Sequence, residues 1–231
     1  TKSYFDYVQG DYFLDNLDLG INYIRMNRSI DLHAFKRRYA GLYNQYNNNS
    51  GLITPVQYTY IGRYFYEGVN DQLSVSLGNF NSDFGLFDST NISFLDSRIT
   101  SSNVKYKLSY DSLDIKVNYH NFLQRLDSFH SSSINNGVVY FTRTKLSSSV
   151  SLINSKNFMY GALINFNKRS LDIYNTKTYG WISFNVFLKN KKSQFYIGLN
   201  SYEDGQKLIA SGESNFKHNS FNSKLNAGRS L

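Results

Sequence analysis

The sequence predicts an all-β protein: an antiparallel transmembrane β-barrel of about fourteen strands, or a piece of a larger one. Three observations predict it. Segments of roughly ten residues alternate apolar and polar almost from end to end, clusters of turn-forming residues separate them, and the side chains are weighted toward aromatic rings. The 231 residues include 20 Tyr and 18 Phe against a single Trp. Tyr and Phe favour strands, and a Tyr ring suits a membrane interface because its hydroxyl can stay wet. Pro55 is the one proline, so no proline-rich linker divides the chain, and residues 1–231 read as a single domain.

The first rhythm is Leu17, Leu19, Ile21 and Tyr23, opposed by Asp18, Gly20 and Asn22. It returns at Val56, Tyr58, Tyr60, Gly62 and Tyr64, opposed by Gln57, Thr59 and Arg63, and again at Leu73, Val75 and Leu77. The clearest hairpin runs from Asn103 to Asn121. Val104, Tyr106, Leu108 and Tyr110 alternate with Lys105, Lys107 and Ser109, and the turn Asp111–Ser112 follows. Leu113, Ile115, Val117 and Tyr119 then alternate with Asp114, Lys116, Asn118 and His120. A period of two puts each set on one side of a sheet, whereas a helix would scatter it. Later segments are Phe158, Tyr160, Ala162, Ile164 and Phe166, then Phe195, Ile197 and Leu199.

Turns are expected at Gly68–Asn70, Ser155–Asn157, Asn167–Ser170, Lys189–Lys192 and Glu203–Gly205. Gln45–Ile53, Asn79–Ser102 and Phe122–Gly137 break the alternation and read as long loops, as expected of a barrel with short turns at one rim and long loops at the other. No run approaches the roughly 18 apolar residues of a membrane helix. A soluble sandwich would also alternate. Here, however, the polar faces carry Asn, Ser, Thr, Gln and Gly, and rings crowd strand ends, as at Tyr39, Tyr43 and Tyr46 or Tyr64, Phe65 and Tyr66. Closure also removes the exposed edges of a large sheet.

Catalysis has little support. His33, His120, His130 and His218 show no zinc-binding spacing, and Ser211-Gly-Glu-Ser214 lacks the strand-to-helix setting of a nucleophile elbow. The chain has no cysteine, hence no thiolate metal site or disulfide, and no phosphate-binding glycine loop; no cofactor is expected. The net charge is +8, with Lys and Arg scattered rather than blocked. Nucleic acid is not the expected partner, because aromatics and cations occupy opposite faces of the 104–119 hairpin. The candidate site residues are the polar-face cations Arg37, Arg63, Lys105, Lys107, Lys116 and Arg143. In a barrel they would line the interior and attract anions, unless carboxylates such as Asp31 and Asp114 neutralise them.

Phe35-Lys-Arg-Arg-Tyr-Ala-Gly41, Thr54-Pro-Val-Gln-Tyr-Thr-Tyr60, Leu77-Gly-Asn-Phe80 and Phe84-Gly-Leu-Phe-Asp88 resemble the outer-membrane porins of Bacteroidota. These motifs cover mainly the first ninety or so residues. The resemblance implies a bacterial outer-membrane location, with the lipid bilayer, small solutes and other envelope proteins as partners. Such barrels usually end on an aromatic residue, whereas this chain ends Gly228-Arg-Ser-Leu231, which implies a truncated or continuing barrel. The expected function is passive diffusion of small polar or anionic solutes. The alternative is a non-conducting barrel that serves as an accessory subunit of an envelope complex.

Overall fold

The computed structural model describes the backbone of residues 1–11, 14–39, 55–88, 91–130, 137–153, 158–172, 176–190, 193–202, 205–218 and 221–230. Side chains are described over the same residues up to 202, apart from 84–88, 91–95, 128–130 and 193. The described residues form thirteen strands and no α-helix, where the alternation suggested about fourteen strands. They are β1 (Lys2–Gln9), β2 (Asp15–Arg25), β3 (Arg28–Arg38), β4 (Val56–Glu67), β5 (Asp71–Asp88), β6 (Asn91–Tyr110) and β7 (Leu113–His130). There follow β8 (Gly137–Ile153), β9 (Met159–Asp172), β10 (Thr176–Lys189), β11 (Ser193–Tyr202), β12 (Gly205–His218) and β13 (Phe221–Ser230). Each strand pairs antiparallel with the next, so the whole is one meander in chain order.

The register assigns every residue to one of two faces. Ile115 lies opposite Leu108 and Val150, Val75 opposite Val104 and Tyr64, and Ile164 opposite Ser148 and Phe184. Following these pairs from β1 to β11 gathers every apolar set of the sequence onto one face, here called the front. Leu17, Leu19, Ile21 and Tyr23 join Ile30 and Leu32, and onward to Leu188, Val186, Phe184 and Ile182 beside Phe195, Ile197 and Leu199. Strands β2 to β11 each give this band three to five alternate side chains, or about 20 Å of extended chain, and β1 adds Phe5 and Tyr7. The band runs beside the short connections, which join β2 to β3, β4 to β5 and β6 to β7.

Two expected loops are strand instead. Most of Asn79–Ser102 belongs to β5 and β6, and much of Phe122–Gly137 belongs to β7; residues 131–136 lie outside the described part. The alternation does not stop there. It changes phase. Beyond the band the front carries Asn79, Asn81, Asp83, Arg98, Thr100, Arg125 and Asp127, while Phe80, Ile99, Phe122 and Leu126 occupy the back. A reading keyed to one apolar face loses the strand where that face turns polar. The expected turn at Asn167–Ser170 fails for the same reason: it lies inside β9, with Ser170 hydrogen-bonded to Thr142 of β8 on the front. Gly68–Asn70 does connect β4 to β5. The expected features at 45–53, 155–157, 191–192 and 203–204 lie outside the described residues, as do Tyr43 and Tyr46.

The sheet is a single layer. Its accessible surface is 16085 Å², about 1.5 times the roughly 10,700 Å² of a compact chain of this mass. No large side chain is fully buried among the described residues. Burial is inverted relative to a water-soluble domain. The front leaves Leu77 58%, Ile197 55% and Ile182 50% exposed, whereas the polar residues Ser151, Asn167 and Ser183 on the back are only 6–8% exposed. Around these three residues the back is crowded, whereas Tyr4, Arg63, Lys116 and Tyr179 elsewhere on it are more than half exposed; glycine makes room locally. Tyr4 stands directly opposite Gly20, and a Cβ at Gly20 would run into the Tyr4 ring.

The two-residue turns carry strain. Met26 and Asp111, each the first residue of its turn, have φ of 47° and 49°. Positive φ matches the twist of a tight hairpin, and Asp tolerates it better than an unbranched apolar chain. Met26→Gly is therefore expected to stabilise the folded protein by about 1 kcal/mol. Its urea midpoint in detergent should rise; an unchanged or lower midpoint would show that the turn holds no such strain.

Candidate functional site

The back face holds the candidate site. All six cations singled out from the sequence fall on it, because their cross-strand partners are back-face residues: Arg37 with Gln57, Arg63 with Asp31 and Ser76, Lys105 with Asn118, Lys107 with Lys116, and Arg143 with Phe122. They share a face but not a place. Lys105, Lys107 and Lys116 sit near the short β6–β7 turn, with Lys107 and Lys116 directly opposed. Arg143 lies toward the other end, level with the polar front positions Thr142 and Thr144. Arg37 and Arg63 belong to β3 and β4, in a separate part of the sheet.

Their charges are only partly met. Arg63 reaches Asp31 at 3.4 Å, and Lys116 reaches Asp114 at 3.7 Å, with both cations more than half exposed. Pairs so long and so wet contribute about 0–1 kcal/mol. Among the described residues no carboxylate lies within ion-pair distance of Arg37, Lys105, Lys107 or Arg143. Lys107 and Lys116 are direct cross-strand partners, a like-charge pairing that disfavours the strand pair. Such a face favours an anion in front of it.

Polar side chains around these cations hold one another. Asn103 donates to Asn118 at 3.4 Å, and Asn165 donates to Ser183 at 3.1 Å. On β1 to β3 the Asp18 carboxylate accepts from the Tyr4 hydroxyl at 3.2 Å and bonds the His33 imidazole at 2.8 Å. This ties three strands by one acceptor. No serine or cysteine nucleophile joins that cluster among the described residues, and the described residues contain no group of acids and histidines able to hold a metal. His120 is on the back beside Lys145, whereas the side chains of His130, His218 and Ser211–Ser214 lie outside the described residues.

The front has its own charged zone beyond the apolar band. Asp96 stands between Asp83 and Asp127, opposite both, and Arg98 and Arg125 bind it at 2.8 and 3.6 Å. Arg125 also holds Asp127 at 2.9 Å. The two arginines let three carboxylates share one patch. Lower on the front, Ala34 and Gly62 floor an apolar groove of about 550 Å³ between Leu32 and Leu77. It faces away from the back-face cations.

Sequence reasoning missed Lys145, Arg169 and Trp181, which the register brings to the same face as Arg143. Arg169 was hidden because Asn167–Ser170 resembles a turn. Here aromatics and cations do share a face, so the separation seen in the 104–119 hairpin is local. No known family matches this sequence, and a search of curated proteins finds no relative.

Proposed function

We propose that the sheet closes into a barrel in a bacterial outer membrane, front to lipid and back to the interior, and passes small polar or anionic solutes by diffusion. The observation that carries this reading is the inverted burial: exposed Leu, Ile, Val and Phe on the front, crowded Ser and Asn on the back. In water such a front would be a very large apolar patch, far beyond the few hundred Å² that a soluble monomer tolerates. In lipid it is the required surface, and its height is on the scale of the roughly 25 Å apolar belt of outer-membrane barrels. Tyr23, Tyr66, Tyr110 and Tyr160 border the band on the turn side, the position of an interfacial girdle. Strands β5 to β7 have 18, 20 and 18 residues, against about 9–11 for a crossing. The surplus would stand in water, which accounts for the polar upper front.

The motifs in the first ninety residues add the resemblance to Bacteroidota porins. The proposal includes no enzymatic activity and no cofactor. Its partners are the bilayer, small solutes and other envelope proteins, with nucleic acid left out. One observation favours the second reading, a non-conducting accessory subunit: Phe80, Ile99, Phe122 and Phe141 occupy the back of the projecting part and could fill the interior there.

Planar-bilayer recording under a salt gradient tests the first reading. An open interior carrying unneutralised Lys and Arg should give stable conductance with a reversal potential on the anion side. Intact, strand-rich protein that inserts yet carries no current would favour the accessory subunit.

A further inference from the structure

Across β7 to β10 the back-face register sets cations against one another and against aromatic rings. Phe122 stands opposite Arg143, Arg143 opposite Arg169, and Arg169 opposite Tyr179. Two arginines are therefore direct cross-strand partners, with Cβ atoms about 5 Å apart, a like-charge pairing that costs stability. Ordinarily a carboxylate would bridge them. Among the described back-face residues of these four strands the one carboxylate is Asp114, which lies eight residues along β7 from Phe122, about 26 Å away, and is engaged by Lys116. Lys145, next to Arg143 on the same face, adds a third cation.

Aromatic rings accompany the charge. The Arg169 guanidinium lies over the Trp181 ring at 5.3 Å, and Tyr179 is 59% exposed beside it. On the other flank Phe122 and Phe141 meet edge to face at 6.0 Å, which fixes the wall behind Arg143. Stacking on Trp181 holds one fork in place and leaves its N–H edges open. From Arg143 to Tyr179 is two strand spacings, about 10 Å.

We propose that Arg143 and Arg169, with Lys145 and the Tyr179–Trp181 shelf, form a binding site for an anion that carries its oxyanion on a ring, the sugar-phosphate and uronate class. The oxyanion bridges the two forks and removes their repulsion, and the ring lies against the exposed aromatic face. This deepens the diffusion reading, since it places a selective station on the interior surface, and it rests on that reading for access but not for binding.

Trp181 is the single tryptophan of the chain, so its fluorescence reports this site alone. Folded protein in detergent is titrated with glucose 6-phosphate, inorganic phosphate and glucose. The expected result is a saturable change with glucose 6-phosphate, half-complete at a concentration at least about tenfold below that for inorganic phosphate, and none with glucose. Arg143→Gln with Arg169→Gln should raise that concentration at least tenfold. Arg143→Lys with Arg169→Lys, which keeps charge and sheet but loses the forks, should fall between. Lys36→Gln, on the opposite face of the sheet, should leave the titration unchanged. No saturable response, an equal response to phosphate, or insensitivity to both arginine pairs overturns the proposal. So does tighter binding of a single-stranded oligonucleotide at equal salt, which would mark the face as a nucleic-acid surface. Binding without conductance leaves the site standing and removes the open channel; conductance without binding does the reverse.

Discussion

Arginine at Ile115 or Val150 is expected to cost roughly 2–4 kcal/mol of folding free energy in lipid, and arginine at Thr100 or Asn121 about 0–1 kcal/mol. All four positions are on the front, and Ile115 and Val150 face each other in the register. What differs is position along the strand. Ile115 has Leu113 and Val117 on the same face and Leu108 across from it, well inside the apolar band, while Thr100 and Asn121 lie where the front turns polar. A guanidinium in the band must lose water or drag it into hydrocarbon; one at the rim reaches water with its own length. Urea unfolding in lipid vesicles, followed by strand circular dichroism, gives the four values. A flat profile would remove the membrane-facing front. A larger cost for arginine at the back-face Ser149 than at Val150 would invert the sheet. Spin labels at Leu113 through Asn118 should agree with the profile, alternating between oxygen and aqueous-relaxer exposure residue by residue.

What could be read from the sequence divides along that same band. Inside it one face is apolar and the other polar, so period-two spacing names both faces without coordinates, as for Val104 to Tyr110 and Leu113 to Tyr119. Past it the phase reverses: Phe80 and Ile99 move to the back while Asn81 and Arg98 take the front. Polar runs such as Asn79–Ser102 and Asn167–Ser170 then resemble loops and turns, although the backbone continues as paired strand. Lys105, Lys107 and Lys116 were legible one by one, since each sits between apolar neighbours, whereas Arg37 lies between Lys36 and Arg38 and Arg143 between two threonines. Their grouping was not. That Lys107 faces Lys116 follows from the hairpin turn, but that Arg143 faces Arg169 requires Asn167–Ser170 to be paired strand, where the sequence resembles a turn.

Changing Lys105, Lys107 and Lys116 together to Glu is expected to move the reversal potential from the anion side to the cation side, with at least a tenfold change in the permeability ratio. The three side chains are exposed, share the back face within two adjacent strands, and have only Asp114, at 3.7 Å from Lys116, as a described carboxylate partner. Their field is therefore largely unopposed. Each 1.4 kcal/mol of difference in a solute's electrostatic energy is tenfold in its local concentration. Opposed charges about 5 Å apart are worth about 1–3 kcal/mol depending on the effective dielectric constant, so reversing three suffices. Arg63→Glu alone should do much less, because Arg63 stands beside Asp31 and acts on another part of the wall. The selectivity of the unaltered protein should weaken as salt rises, the Debye length falling from about 10 Å at 0.1 M to about 3 Å at 1 M. Channels whose selectivity ignores the triple change would show that these lysines lie off the solute path. Selectivity that persists undiminished at 1 M would show that it arises from contact at a narrow point, such as the Arg143–Arg169 pair, rather than from the field of the turn-side lysines.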